Sequence, residues 1–160
     1  MTAPRQNPLV SDRDVAFQLY EVLDAQALCA LPGFEAHSRD TFDLFLDSAR
    51  RLARDVLAPS YRPMDAQPPV LEGGRVRTHP ALRRLYPQLV ELGLLNATRP
   101  AEVGGQSLPL SVFALASLYL MAGNLSAYGF VGLSHGAAHL LEAFGSEEVR
   151  APWLLSLIHI

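Results

Sequence analysis

The sequence predicts an all-α fold, a helical bundle of about six helices. Apolar residues recur at helical spacing in one segment after another, and helix-starting and helix-stopping residues bracket those segments. No convincing strand or internal repeat interrupts them. The 160 residues suit one domain with a core, because 49% are hydrophobic and 18% charged, a balance that excludes intrinsic disorder.

Ser11-Asp12-Arg13-Asp14 has the form of a capping box, and Val15, Leu19, Val22 and Leu23 follow at helical spacing, so a first helix is expected over Asp12 to Leu28. Leu31-Pro32-Gly33 ends it. Ser38 to Asp40 caps a second amphipathic helix through Phe42, Phe45, Leu46, Ala49, Leu52, Ala53, Val56 and Leu57, with a stop expected at Ala58-Pro59. Tyr61 to Thr78 holds three prolines and two glycines without apolar periodicity and reads as a long loop. Pro80 starts a third helix carrying Leu82, Leu85, Leu89 and Leu92; Gly93 closes it, and Pro87 inside it predicts a kink or two short pieces. Asn96 to Gly105 is a turn. Two further helices, Leu110 to Ala122 and Leu125 to Phe144, are separated by Gly123-Asn124 and ended by Gly145, and Ser146-Glu147-Glu148 opens the last.

Composition excludes several function classes. Thirteen basic against sixteen acidic residues give a net charge of -3, so the pull toward a phosphate backbone is missing and no nucleic-acid partner is expected. All basic residues are Arg; without Lys, Schiff-base and P-loop chemistry lose their usual residue. The single Cys29 permits no internal disulfide and fits a reducing, cytoplasmic setting. Met1 to Val10 has no apolar signal region. From Val103 to Leu141 there is no Asp, Glu, Lys or Arg, yet Pro109, Gly123, Asn124, two histidines and several serines interrupt the stretch, so buried helices are expected and no membrane span.

Reactive candidates are weak individually. His135 and His139 stand four apart on a helix without a third ligand and read as packing histidines, so no metal site is assigned. Ser134, between Gly132 and Gly136, matches a nucleophile-elbow spacing but follows no strand. Gly104-Gly105 lacks the spacing of a dinucleotide cradle and reads as a turn. Gly129, Gly132 and Gly136 fall at i, i+3 and i+7 and leave a groove along one helix side. Two readings stay open for it: close approach of another helix, or room for a slender apolar ligand.

A set of landmarks in order resembles the N-terminal α-helical domain of the flavin-dependent acyl-CoA dehydrogenases. They are Arg13-Asp14-Val15 to Asp24, Leu31-Pro32-Gly33-Phe34, Leu57-Ala58-Pro59, Glu91-Leu92-Gly93-Leu94, Pro100 to Gln106 with Leu108-Pro109, Gly123-Asn124, Phe144 to Glu148, and Trp153-Leu154. The opening helix and the Gly-Gly-Gln-x-Leu-Pro run are similar to the branch that includes methylmercaptopropionyl-CoA dehydrogenases. Ser107 departs from that branch, where a third glycine is common. The resemblance divides the chain into an N-terminal extension (1–37) and the helical domain (38–154), followed by a tail (155–160) that looks like unrelated sequence joined to an incomplete reading frame.

What the resemblance implies is α,β-dehydrogenation of an acyl-CoA thioester: a carboxylate removes the α proton while the β hydrogen leaves as hydride to flavin N5. The full-length parent would use FAD, pass electrons to an electron-transfer flavoprotein and form a homo-oligomer. The family's base and most flavin contacts belong to domains beyond this segment. No catalytic residue is therefore assigned, Glu102, Glu142 and Asp65 included, and the chain alone is expected to be inactive, to retain no FAD, and to expose an apolar face on the last two long helices. Gly129, Gly132 and Gly136 match the family element lining the acyl pocket, which favours the substrate-binding reading. Two alternatives remain: a self-contained helical interaction module, and a nucleic-acid-associated relative of the same family.

Overall fold

The computed structural model describes residues 10–158. Six α-helices dominate: α1 (Asp12–Ala16), α2 (Arg39–Leu52), α3 (Ala58–Ala66), α4 (Leu82–Glu91), α5 (Leu110–Phe144) and α6 (Glu147–Ile158). The bundle is all-α apart from one small hairpin, β1 (Val70–Glu72) paired antiparallel with β2 (Arg75–Arg77). α5 is the central element and packs on α2, α3, α4 and α6. One continuous core joins Leu19, Phe42, Leu57, Leu85, Leu89, Val112 and Leu120, each fully buried. Removal of such side chains from water is the main term holding the bundle together.

Four local expectations are corrected. The first helix does not run to Leu28: it passes into a π-helical stretch, Phe17–Val22, and stops where Asp24 turns left-handed at φ 43°. Asp tolerates that conformation better than most residues. A separate 3₁₀ segment, Ala25–Ala30, follows in a new direction and buries Ala25. The start of the extension, residues 1–9, and the last two residues of the tail, 159–160, lie outside the described residues.

The second helix does not stop at Ala58-Pro59. A π-helical turn, Ala53–Leu57, joins α2 to α3, with the Ala58 N–H bonding five residues back to Ala53. Pro59 then falls in the first turn of α3, where its missing N–H is tolerated. The segment read as a loop therefore holds α3 as far as Ala66 and then the hairpin. Gly73 and Gly74 take φ values of 55° and 75°, as a tight two-residue hairpin turn requires. Val70-Leu71-Glu72 and Arg75-Val76-Arg77 around Gly-Gly were the signal for that hairpin. Finally, of the kink or two short pieces expected at Pro87, the two pieces are overturned, since α4 is one helix. Pro87 lies on its exposed face, opposite buried Leu82, Leu85 and Leu89, so the absent backbone bond faces solvent.

The N-terminal extension is tied to the bundle by charge as well as by Val15 and Leu19. The Asp12 carboxylate accepts from Tyr119 Oη at 2.9 Å and from Arg50 at 2.9 Å, and Arg50 also pairs with Asp47. Tyr20 Oη donates to Asp43 at 2.5 Å while the Arg39 guanidinium sits over its ring at 4.1 Å. Partial burial and the adjacent carboxylate raise the Tyr119 phenol well above its ordinary range, so it stays a donor at any physiological pH.

Candidate functional site

α5 is built in two halves. Asn124 leaves helical geometry at φ -163° and ψ 94°, and its buried side chain meets three partners on two elements. Asn124 Oδ1 accepts from the Ala127 N–H at 3.0 Å, an N-cap for the second half. Asn124 Nδ2 donates to Ser60 Oγ at 2.9 Å and meets Met64 Sδ at 3.3 Å, both on α3. Gly123 makes the approach possible, since a Cβ there would stand 2.9 Å from the Ala53 carbonyl oxygen. The expected separation at Gly123-Asn124 is thus present, and Asn124 holds the downstream half in a fixed direction.

That second half carries the three glycines. Gly129 and Gly136 open onto free space, because a Cβ at either would meet nothing within 4 Å. Gly132 differs: its added Cβ would lie 2.7 Å from the Tyr128 ring, which crosses the helix there and donates from Oη to Ser117 Oγ at 3.0 Å. Gly132 therefore has a packing reason of its own. Leu125, Gly129, Leu133, Gly136, Leu140 and Phe144 share one helix face, and Leu133 and Phe144 are 79% and 84% exposed. No other described part of the chain covers Gly129 or Gly136. The apolar face expected on this helix is exposed, and no charge interrupts it from Leu125 to Leu141.

By length and composition α5 is apolar enough to cross a membrane, but half of its most apolar stretch is buried within the protein. Together with the Asn124 break, that marks it as the core helix of the bundle.

The opposite side of the same half is polar and partly buried. His135 is buried, stacks on Phe113 at 4.4 Å between centroids and meets His139 edge-on at 4.7 Å. Arg99, fully buried, reaches from the segment after α4: it donates to the His135 carbonyl at 2.9 Å, to His139 Nδ1 at 3.0 Å, and to the Glu142 carboxylate. Burial, with the neighbouring His139 and Arg99 adding to it, pushes His135 down to about 4. His135 is a packing residue, and His139 lies half-exposed beside it, bonded to Arg99. Among the described residues no three metal-ligating side chains converge. Ser134 bonds back to the Phe130 carbonyl within the helix, so the elbow spacing has no elbow. Sequence reading did not find Arg99: a lone arginine between Thr98 and Pro100 carries no periodic signal, and only its position before a long uncharged stretch ending at Glu142 hinted at burial.

Gly104-Gly105 forms a turn, with Gly104 at φ 78° and Gly105 so close to the Arg99 backbone that any Cβ would collide with its carbonyl. Ser107 adopts φ 49°, the left-handed conformation that glycine takes most easily. A third glycine there would be the less strained choice, which accounts for the pattern noted above.

The sequence profile of the family described as "Acyl-CoA dehydrogenase, N-terminal domain" matches residues 39–159. The chain belongs to the acyl-CoA dehydrogenase family. It is 29% identical over 147 residues to the 3-methylmercaptopropionyl-CoA dehydrogenase of Ruegeria pomeroyi, an alignment covering 91% of this chain and 25% of that protein. The chain thus spans a quarter of the length of the curated relative it matches. An acyl-CoA dehydrogenase N-terminal domain is helical, as observed, and the family match begins at the first residue of α2.

Among the described residues, the two places that could be taken for a flavin site do not fit one. The Gly104-Gly105 turn, the nearest approach to a phosphate cradle, is filled by the Arg99 backbone. The open face of α5 is apolar and offers no row of donors for a pyrophosphate. Glu142 is held by Arg99, and Glu102 and Asp65 are exposed.

Proposed function

We propose that this chain is the N-terminal helical domain of an FAD-dependent acyl-CoA dehydrogenase, and that the open face of α5 is part of the wall against which the acyl chain lies. One observation carries the reading. Gly129, between Leu125 and Leu133, and Gly136, between Leu133 and Leu140, leave unfilled space on an uncharged face, the surface that a slender apolar chain needs. Gly132 is included in that wall as the residue that lets Tyr128 lie flat beside it. The reaction is α,β-dehydrogenation of an acyl-CoA thioester, with the base and the flavin contacts supplied by parts of the enzyme outside these residues. Electron-transfer flavoprotein as acceptor, a homo-oligomeric assembly and a cytoplasmic location complete the proposal by family likeness. The 160 residues alone are proposed to be inactive.

The same exposed face also suits a helical interaction module without catalysis, and one experiment separates the two. Protein expressed from the complete reading frame is expected to bind flavin and to reduce an electron acceptor only when an acyl-CoA is added. A soluble, well-folded product that binds no flavin and oxidises no acyl-CoA across short, medium and long chains would overturn the enzyme reading.

A further inference from the structure

The polar side of α5 is built in a way that the proposed acyl wall does not use. The segment from Leu94 to Leu108 lies across the helix as a strap: Leu94, Leu95, Ala97, Arg99 and Leu108 are all buried. It is closed on itself by Ser107 N–H to the Arg99 carbonyl and Leu108 N–H to the Ala97 carbonyl, both 2.8 Å. Its polar hold on α5 runs through Arg99, which bonds the His135 carbonyl and the Glu142 carboxylate, and through two imidazoles. Arg99 donates into His139 Nδ1, which must therefore carry no proton, and His139 Nε2 lies 3.2 Å from Thr98 Oγ1 on the same strap. His135 Nδ1 faces the Leu95 carbonyl at 3.4 Å, and its own carbonyl takes the second Arg99 bond.

We propose that Arg99, His135 and His139 form a proton-operated latch, which holds the strap on the second half of α5 while both imidazoles are neutral and releases it when they become charged. A proton on His139 Nδ1 removes the acceptor of the Arg99 bond and sets a second cation 3.0 Å from the guanidinium. A proton on His135 puts a further cation beside buried Arg99, with the half-exposed His139 edge-on to it. The only carboxylate facing this group among the described residues is Glu142, on the same helix, already paired with Arg99 and 3.8 Å from His139 Nδ1. The first half of α5 meets the cluster through the Phe113 ring, and α6 meets the neighbouring turn through apolar Leu154 packed on Ala138. Three cations would then share one anion.

The direction with pH follows. Both histidines are held below their ordinary value, by burial first and by neighbouring positive charge second, although Glu142 opposes this at His139. A group depressed in the folded state costs nothing above its unfolded value near 6.5, and its penalty grows as pH falls, for His135 toward a folded value of about 4. The strap is latched at neutral pH and loosens in acid. The latch rests on the strap geometry alone and stands or falls independently of the acyl-wall reading.

Hydrogen exchange read residue by residue tests it on this chain. Between about pH 7 and about pH 4.5, the Ser107 and Leu108 amides are expected to lose roughly tenfold or more of their protection after correction for intrinsic rates, while the Phe45 and Leu46 amides of α2 keep theirs. The double variant His135→Asn with His139→Asn keeps a donor toward Leu95 and an acceptor toward Arg99 and is expected to lose that pH step. An unchanged step in the double variant, or loss of strap and α2 protection together, would overturn the latch. Should the double variant not fold, the midpoint of strap opening in the unmodified chain must coincide with the imidazole titrations of His135 and His139 followed by NMR. A midpoint that instead tracks the carboxylates contradicts the proposal.

Discussion

Asn124→Ala is expected to destabilise the fold by about 3 kcal/mol, because it removes a helix cap and leaves buried polar groups without partners at the same time. The Ala127 N–H loses its acceptor, and Ser60 Oγ, which donates to the Leu57 carbonyl at 2.6 Å, loses the donor that Asn124 supplied. A cap on an exposed helix is worth about 1 kcal/mol; burial and the bridge to α3 account for the rest. Asn124→Asp separates the contributions, since it keeps the cap acceptor and gives up the bridge donor while burying a charge. Urea unfolding of the three proteins measures the effect, and a loss for Asn124→Ala below about 0.5 kcal/mol would show that the break in α5 is held by packing instead.

A second large effect is expected at Arg99. Arg99→Ala should cost about 3 to 5 kcal/mol, the range for losing one partner of a buried ion pair, because the His135 carbonyl and the His139 ring lose their donor while Glu142 keeps its charge. Glu142 is 26% exposed and can turn toward water, which places the expected loss toward the lower end. Arg99→Lys retains the charge but cannot give the forked pattern that serves the His135 carbonyl, His139 and Glu142 together, so it should recover less than half of the loss. Thermal unfolding at neutral pH distinguishes these outcomes. Equal stability for Arg99→Lys and the parent would mean that charge alone, and not the fork, holds the strap.

Much of this fold was legible from residue spacing. Phe42, Phe45, Leu46 and Ala49 on α2, and Leu82, Leu85 and Leu89 on α4, face the core as their periodicity requires. What spacing could not show were backbone adjustments with no repeating signature. A π-helical turn carried the chain through Pro59, and a left-handed Asp24 ended the first helix early. Reading Tyr61 to Thr78 only for helical periodicity hid the Gly73-Gly74 hairpin, whose signal is a turn and not a period. The candidate site divides along the same line. A glycine pattern on one face is visible in the sequence, but the difference between Gly132, which lies under Tyr128, and Gly129 and Gly136, which open outward, depends on side-chain placement. Arg99 and Asn124 reach partners 36 and 64 positions away in the chain, through contacts no local pattern encodes.

The most direct test of the proposed acyl wall fills the space beside Leu133 and Leu140. Gly136→Leu, made in protein from the complete reading frame, places a side chain where a Cβ now meets nothing, so the fold has room for it at the cost of the open face. Long-chain acyl-CoA substrates should then show KM raised roughly tenfold or more, while short-chain substrates and kcat stay within about twofold of the parent. An equal change for every chain length, or none for any, would contradict the placement of the acyl chain against α5.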